Sequence, residues 1–418
     1  MKRPYLAKNW LAIGVVVALC FGACGVEPGL TGDPDSTVSG ATSAPGSSTQ
    51  NPIPTQQNPG PSSLCNNQKL DQGELCDSEI KPCKDLDPTR FDSGEAKCNS
   101  SCTDWDLTAC KKAALPQSID LGAAPTNYLA LSDMEALLQK WAAAGAGLLE
   151  YKVFGTSNGK NNVYLRVSKA VSSGQTDLPK VLVDGGTHGD EWIGPAIVLG
   201  FMHRFISQYG KDAKITELIN TRDVYFVPVV SPTGYTNQVR EEEGQDPNRS
   251  FPLHGATPTT SISNLINLFR KVGFNATIDY HASGRMMLLP WAYTATQFDE
   301  SGLGAKERTM VQSMAQSNSY RWGSVYSMVG YTADNSSIDW FYTEGKKLGL
   351  KTCAMGVEAG TSKIPAVSAI KTEVDLNLAP LLIFIEKAPV LFGSYDVVLD
   401  ITPPVYKDLS PYFVPGLE

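Results

Sequence analysis

His188 and Glu191 stand three positions apart in the stretch Leu182-Val183-Asp184-Gly185-Gly186-Thr187-His188-Gly189-Asp190-Glu191-Trp192. An imidazole nitrogen and a carboxylate at this spacing can both reach one Zn²⁺, and a catalytic zinc takes three protein ligands and keeps a position for water. Of the chain's 4 histidines, His203 falls on the apolar series after the loop and His254 follows Pro252, so both read as structural. His281 ends the run Thr277-Ile278-Asp279-Tyr280 and would complete a His, Glu, His set across a long spacer. Glu358 closes the apolar run Met355-Gly356-Val357, where a carboxylate is costly unless it is paired or functional. Arg240, and Asn248 with Arg249 in Asp246-Pro247-Asn248-Arg249-Ser250-Phe251, could grip a carboxylate, because a guanidinium is a planar fork. The plainer reading of that segment is a solvated charged loop, given Glu241, Glu242 and Glu243. A third segment, Tyr331 to Trp340, is a polar loop running into a helix.

These groups need elements to hold them. The short β-branched run Val181 to Val183 reads as a buried strand, and Pro195, Ile197, Val198, Phe201 and Met202 read as the helix after it. A strand-to-helix loop is where an α/β sheet displays chemistry. Upstream, Ser132 with Glu135 predicts a capping box, with Met134, Leu137, Leu138 and Trp141 as the apolar helix face. Leu148 to Phe154 and Val163 to Ser168 flank an Asn-Gly turn and predict a hairpin. Downstream, Asp223 to Val230 reads as a strand, Ile262 to Phe269 as a helix and Ala276 to Tyr280 as a strand. Leu376 to Phe392 reads as a largely buried helix before a Pro-rich tail. The alternation predicts an α/β fold, a mixed sheet with helices on both faces. Cys353, in the apolar run Thr352 to Val357, reads as a buried thiol.

The net charge of −8 argues against nucleic acid or an anionic membrane surface as partner. Lys2, Arg3 and Lys8 precede the apolar run from Trp10 to Phe21, the pattern of an export signal, and the run is too short to span a bilayer. Phe21-Gly22-Ala23-Cys24 resembles the lipobox of bacterial lipoproteins, which implies lipidation at Cys24 and a lipid-anchored cell-envelope protein; simple secretion is the alternative. The expected organisation is a signal peptide with lipobox over 1–24 and a disordered Pro/Ser/Gly/Thr linker over 25–64. A cysteine-rich module follows over 65–112 and a catalytic domain over 113–418. Six of the 9 cysteines, Cys65, Cys76, Cys83, Cys98, Cys102 and Cys110, crowd into the module and predict three disulfides in any of about fifteen pairings. A zinc site at Cys98 and Cys102 is the rival reading.

Taken together, the motifs around His188, Arg240 to Phe251, His281, Tyr331 and Glu358 resemble the zinc metallocarboxypeptidases of the pancreatic A/B type, from roughly Tyr128 to Pro389. The resemblance implies a mixed, mostly eight-stranded sheet with helices on both faces. It implies His188, Glu191 and His281 as ligands of one Zn²⁺, and Asp246 as the carboxylate fixing the ring of His188. Glu358 matches the general base and Arg240 the oxyanion-stabilising arginine. Asn248 and Arg249 match the clamp on the substrate's terminal carboxylate, and Tyr331 the tyrosine that closes over substrate. By the same register Ala292, Tyr326, Ala333, Ser336, Ile338 and Gly356 line the side-chain pocket. Ile338 there implies neutral or hydrophobic terminal residues, with Asp334 the nearby acid that could turn inward. The implied partners are peptide or protein C-termini. The sequence departs from the family at Asp190, where an arginine is usual, and at Ala282, Ser231 and Thr233. Cell-wall peptides as substrate, or a catalytically silent adhesin, are the rival readings.

Overall fold

The short apolar runs of the chain pair side by side, and the longer periodic ones pack over them. The computed structural model describes residues 65–87, 91–112, 115–296 and 303–391. The expected signal peptide, Cys24, the linker over 25–64 and the Pro-rich tail lie outside those residues.

Eight strands form one sheet: β1 (Leu149–Ser157), β2 (Lys160–Val167), β3 (Lys180–Gly185), β4 (Asp223–Val227), β5 (Ala276–Ala282), β6 (Met286–Leu289), β7 (Arg321–Ser324) and β8 (Cys353–Ala359). Their order is β7-β6-β8-β5-β3-β4-β2-β1. The inner strands β8, β5, β3 and β4 are parallel, whereas the β1-β2 hairpin joins β4 antiparallel and β6 joins β8 antiparallel. The expected mixed, eight-stranded sheet is present.

Helices α1 (Leu131–Ala144), α2 (Ile193–Ser207), α3 (Ala213–Thr221), α4 (Thr260–Val272), α5 (Leu303–Asn318), α6 (Ser337–Lys347) and α7 (Ile370–Lys387) cover it. Side chains on a strand alternate between faces. Val181 and Val183 of β3 therefore enter the core built with α1, α2, α3, α5 and α7, while Leu182 enters the one built with α4 and α6.

Several boundaries differ from expectation. The first helix starts at Leu131 behind Ala130 with no side-chain cap, so the Ser132/Glu135 capping box is absent. The Glu135 carboxylate instead accepts from Asn161 Nδ2 at 2.9 Å and Tyr151 Oη at 3.4 Å, tying the helix to the hairpin. Strand β4 stops at Val227 because Pro228 has no N–H for the ladder. Strand β5 runs on to Ala282, which puts His281 inside the sheet. The last helix begins at Ile370, not Leu376, because Ile370, Glu373 and Val374 are buried too.

Cysteines 65–110 pair as Cys65–Cys102, Cys76–Cys98 and Cys83–Cys110, around a small core of Cys83, Phe91 and Ala96. Three disulfides is the expected number, and with every sulfur of the module bonded the zinc reading of Cys98 and Cys102 is overturned. Cys353 is a buried free thiol, as expected.

Candidate active site

Strand β3 ends at Gly185, and the turn after it is shaped by glycines. Gly186 has φ of 64°, and a Cβ on Gly189 would run into the backbone of Gly234. Ser231 Oγ donates to the Thr187 carbonyl at 2.8 Å, so the Ser231 departure braces the turn that carries His188. On the neighbouring strand the register sets Asp279 opposite Asp184, and His281 opposite Glu358 of β8. Parallel partners at one level of a sheet project to the same side. His281 and Glu358 are thereby brought together from positions far apart in sequence.

His188, Glu191 and His281 converge, as the sequence predicts. His188 Nδ1 lies 3.1 Å from Glu191 Oε1, His281 Nδ1 lies 3.1 Å from Glu191 Oε2, and the two Nδ1 atoms are 3.1 Å apart. All three side chains are buried, at 4%, 3% and 5% exposure, so bulk water does not compensate the cluster. The opposite ring nitrogens are already engaged: His188 Nε2 with Asp246 Oδ1 at 2.9 Å, and His281 Nε2 with Asp279 Oδ2 at 2.8 Å. A carboxylate on Nε2 keeps the proton there and turns the Nδ1 lone pair towards the cluster, the orientation a metal-ligating histidine needs. Two nitrogens and a carboxylate directed at one point fit zinc.

Asp246 sits where predicted, and burial, which would raise its pKa, is outweighed by His188 and Arg240, so the carboxyl is held below its usual range. Asp279 is the counterpart that sequence reasoning missed. The signal was available, because residues two apart on a strand share a face. Thr187 Oγ1 and Ser337 Oγ also donate to Asp279, at 3.1 and 2.8 Å, and complete its hydrogen bonds. Ala282 N–H donates to Glu191 Oε2 at 3.0 Å, a backbone contact that does not depend on the side chain at this departure.

Arg240 grips Asp246 through Nε at 3.1 Å and Nη2 at 2.9 Å, which leaves Nη1 3.2 Å from both Glu191 Oε1 and His188 Nδ1. The loop that carries it is not simply solvated. Glu242 is buried at 1% exposure and accepts from Ser157, Thr259 and Ser261 hydroxyls at 2.8, 2.9 and 2.6 Å, while Glu241 and Glu243 face solvent. Asn248 bonds the start of α6, accepting from Ser337 N–H at 2.8 Å, and its Nδ2 lies 3.2 Å from His281 Nε2.

Asn248, Arg249, Tyr331, Ile338 and Glu358 line one cavity of about 320 Å³ with His188, Glu191, His281 and Arg240. Burial raises the pKa of Glu358 above the ordinary carboxyl value. Tyr331 is 56% exposed at the cavity rim. One end of the cavity is an apolar cluster of Met286, Leu288, Ala292, Val325, Ala333 and Ile338. Ser336 and Gly356 line the cavity as expected, but Tyr326 does not. In the short helix Val325–Val329 it is Val325 and Val329, four apart and on one face, that turn inward. Asp334 is turned outward, 2.7 Å from His254 Nδ1. That contact gives His254 a place in the rim, while His203 bonds the Gly122 carbonyl at 2.8 Å within the fold. Asp190, the departure beside Glu191, lies 2.6 Å from Lys363 Nζ.

Comparison with known proteins agrees with this geometry. The sequence model of the family described as zinc carboxypeptidase matches residues 134–378. The chain is 27% identical over 261 residues to carboxypeptidase A2 of Rattus norvegicus and 26% identical over 259 residues to carboxypeptidase B of Homo sapiens. These matches cover 53% and 52% of this chain and 61% of each relative, so the chain spans less than two thirds of their length. Among solved structures, thrombin activatable fibrinolysis inhibitor is similar with a TM-score of 0.56 at 22% identity, covering 63% of this chain and 75% of that one. Carboxypeptidase A from Helicoverpa armigera is similar with a TM-score of 0.54 at 16% identity, covering 63% and 74%. These last two likenesses show a shared fold. With the family's model matched over more than half of its length, the chain belongs to the zinc carboxypeptidase family.

Proposed function

We propose that the domain is a zinc-dependent exopeptidase that hydrolyses the C-terminal peptide bond of peptides or proteins and favours neutral or hydrophobic terminal residues. The observation that carries this is the single cavity that joins the trio His188, Glu191 and His281 to Glu358, Arg240 and an apolar pocket. A zinc ion held by the trio would polarise the scissile carbonyl and acidify a water.

The remaining tasks fall to the chain's own groups. Glu358, its pKa raised by burial, takes the proton of the attacking water and returns it to the leaving amine as the C–N bond breaks. Arg240 presents Nη1 to the oxygen on which negative charge develops, and losing such a donor costs roughly 10²–10³-fold in rate. Asp246 holds that guanidinium by two hydrogen bonds, so its orientation is set before substrate arrives. Asn248 and Arg249 pair with the terminal carboxylate, which an internal peptide bond does not offer, and Tyr331 closes from the rim.

The terminal side chain enters the apolar cluster around Ile338. A cation there would lose hydration without a partner, at a cost of several kcal/mol. An aromatic or aliphatic side chain gains about 1.5–3 kcal/mol on burial. Asp334 does not reverse the preference, because His254 holds it outside. Export is supported by the three disulfides of the module, and Cys24 is proposed as the lipidation site of an envelope-anchored form.

The test incubates the purified protein with a peptide library and reads products by mass spectrometry, with amidated C-termini and a chelator as controls. Single-residue loss from free C-termini only, abolished by chelation, is expected. Matched substrates ending in Phe, Leu, Lys and Glu should rank Phe and Leu first in kcat/KM. Internal cleavage, or turnover of the amidated peptides, overturns the exopeptidase reading; Lys ranking first overturns the pocket reading.

A further inference from the structure

Among the charged groups that line the cavity, Lys363 has no part in the reaction proposed above. It lies in the loop after β8, and that loop's backbone is fastened at the residue itself and two positions further on. The Lys363 carbonyl accepts from Ile193 N–H at 3.1 Å, at the start of α2, and the Pro365 carbonyl accepts from Tyr128 Oη at 2.9 Å. The ammonium is 2.6 Å from Asp190 Oδ2 and 3.7 Å from Glu191 Oε1, with the side chain 41% exposed. Asp190 Oδ1 is buried without a hydrogen-bond partner among the described residues, and the carboxylate is compensated by its direct ion pair with Lys363 and, at longer range, by the Arg240 guanidinium. An ammonium carries three donors. The short contact to Asp190 occupies one and leaves two.

Position decides what those donors can meet. The clamp residue Asn248 is bonded to α6, and the apolar pocket includes Ile338 of α6, on one face of the sheet. Lys363 is bonded to the turn before α2 and to α2 itself, on the other face. The trio lies between them. A peptide with its terminal residue in the pocket and its last carbonyl at the trio therefore leads its upstream part towards Lys363. The charge of Asp190 offsets much of the pull that the ammonium would exert on an anionic side chain. A neutral carbonyl feels that offset far less, because it pairs with the N–H group at short range.

We propose that Lys363, held in place by Asp190, is a substrate-positioning residue that donates a hydrogen bond to the main-chain carbonyl upstream of the scissile bond. A free dipeptide has no carbonyl there and would set its own ammonium against that of Lys363. The inference rests on the exopeptidase reading for the direction in which substrate lies.

The test uses acetylglycyl-phenylalanine and pentanoyl-phenylalanine, uncharged upstream of the cut and equal in chain length, of which only the first carries the upstream carbonyl. Their kcat/KM ratio is measured in the otherwise unaltered protein and in Lys363→Met. Their binding ratio is measured by calorimetry in zinc-loaded Glu358→Gln with and without Lys363→Met. Both ratios should fall roughly 10- to 100-fold, the worth of a hydrogen bond to a charged donor. Lys363→Arg should restore most of the preference, and Asp190→Asn, which releases the ammonium, should lower it in the same direction. A binding ratio that Lys363→Met leaves unmoved, or an equal loss for both compounds, overturns the proposal. If neither compound is hydrolysed while the binding ratio still falls, the exopeptidase reading fails and the assignment of Lys363 stands.

Discussion

Replacing Glu307 by methionine should stabilise the protein, and by an increasing amount as pH rises from about 5 to about 8. The Glu307 side chain on α5 is 0% exposed, and its carboxylate meets no nitrogen or oxygen donor among the described residues, only the weakly donating thiol of Cys353 beside it. Burial raises its pKa from 4.5 to about 8, against smaller opposing effects of Cys353 and Arg308. In the unfolded chain the group titrates near its ordinary value. Between these two pKa values the unfolded state gives up the proton and the folded state keeps it. The stability associated with this group is thus full below about 4.5 and is lost as pH rises through about 8. A shift of that size corresponds to about 5 kcal/mol. Methionine has similar length, fills irregular space and cannot titrate. The Cys353 thiol, pushed further up by burial and by Glu307, does not titrate in this window. Denaturant unfolding with the disulfides intact, at a series of pH values from about 5 to 8.5, gives the stability difference between Glu307→Met and the parent. It should grow by about 3–5 kcal/mol across the series and level off above it. A difference that does not change with pH would refute the reasoning, as would a methionine variant less stable than the parent at the upper end.

The site makes further predictions. The purified protein should hold one zinc, and His188→Ala or His281→Ala should lose it by elemental analysis; full retention in either variant removes that residue from the ligand set. Glu358→Gln should keep zinc while kcat falls roughly 10²–10⁴-fold, since proton handling alone is removed. Near-parental turnover would make Glu358 structural. Asp279→Asn should weaken zinc binding by roughly 10- to 100-fold in chelator competition, because Nε2 of His281 loses its anionic partner. Unchanged affinity would show that Asn248 and the strand orient His281 without that carboxylate.

The local groups of this site are written in the sequence because their spacing is set by backbone geometry. A turn that must bring His188 and Glu191 to one ion needs both within a few residues of a strand end. A strand shows itself as a short β-branched run, so β3, β5 and the apolar approach to Glu358 could be read before any coordinates. The cysteine count likewise predicted three bridges, but not which of the many pairings, since that depends on how the module packs around Cys83, Phe91 and Ala96. Capping at Ser132 failed because the helix already starts at Leu131, which puts Ser132 inside its first turn, and Glu135 bonds the hairpin instead. What only the tertiary structure decided are contacts between segments with no sequential relation. The parallel register sets His281 beside Glu358. Hydrogen bonds from Phe251 and His254 to Asn335 set Asp334 beside His254, while Ile338 on α6 faces the cavity. The burial of Glu242 and the pairing of Asp190 with Lys363 each join loops far apart in the chain. No periodicity records such pairs, because a carboxylate in a polar segment looks the same in sequence whether water or a distant hydroxyl or ammonium will meet it.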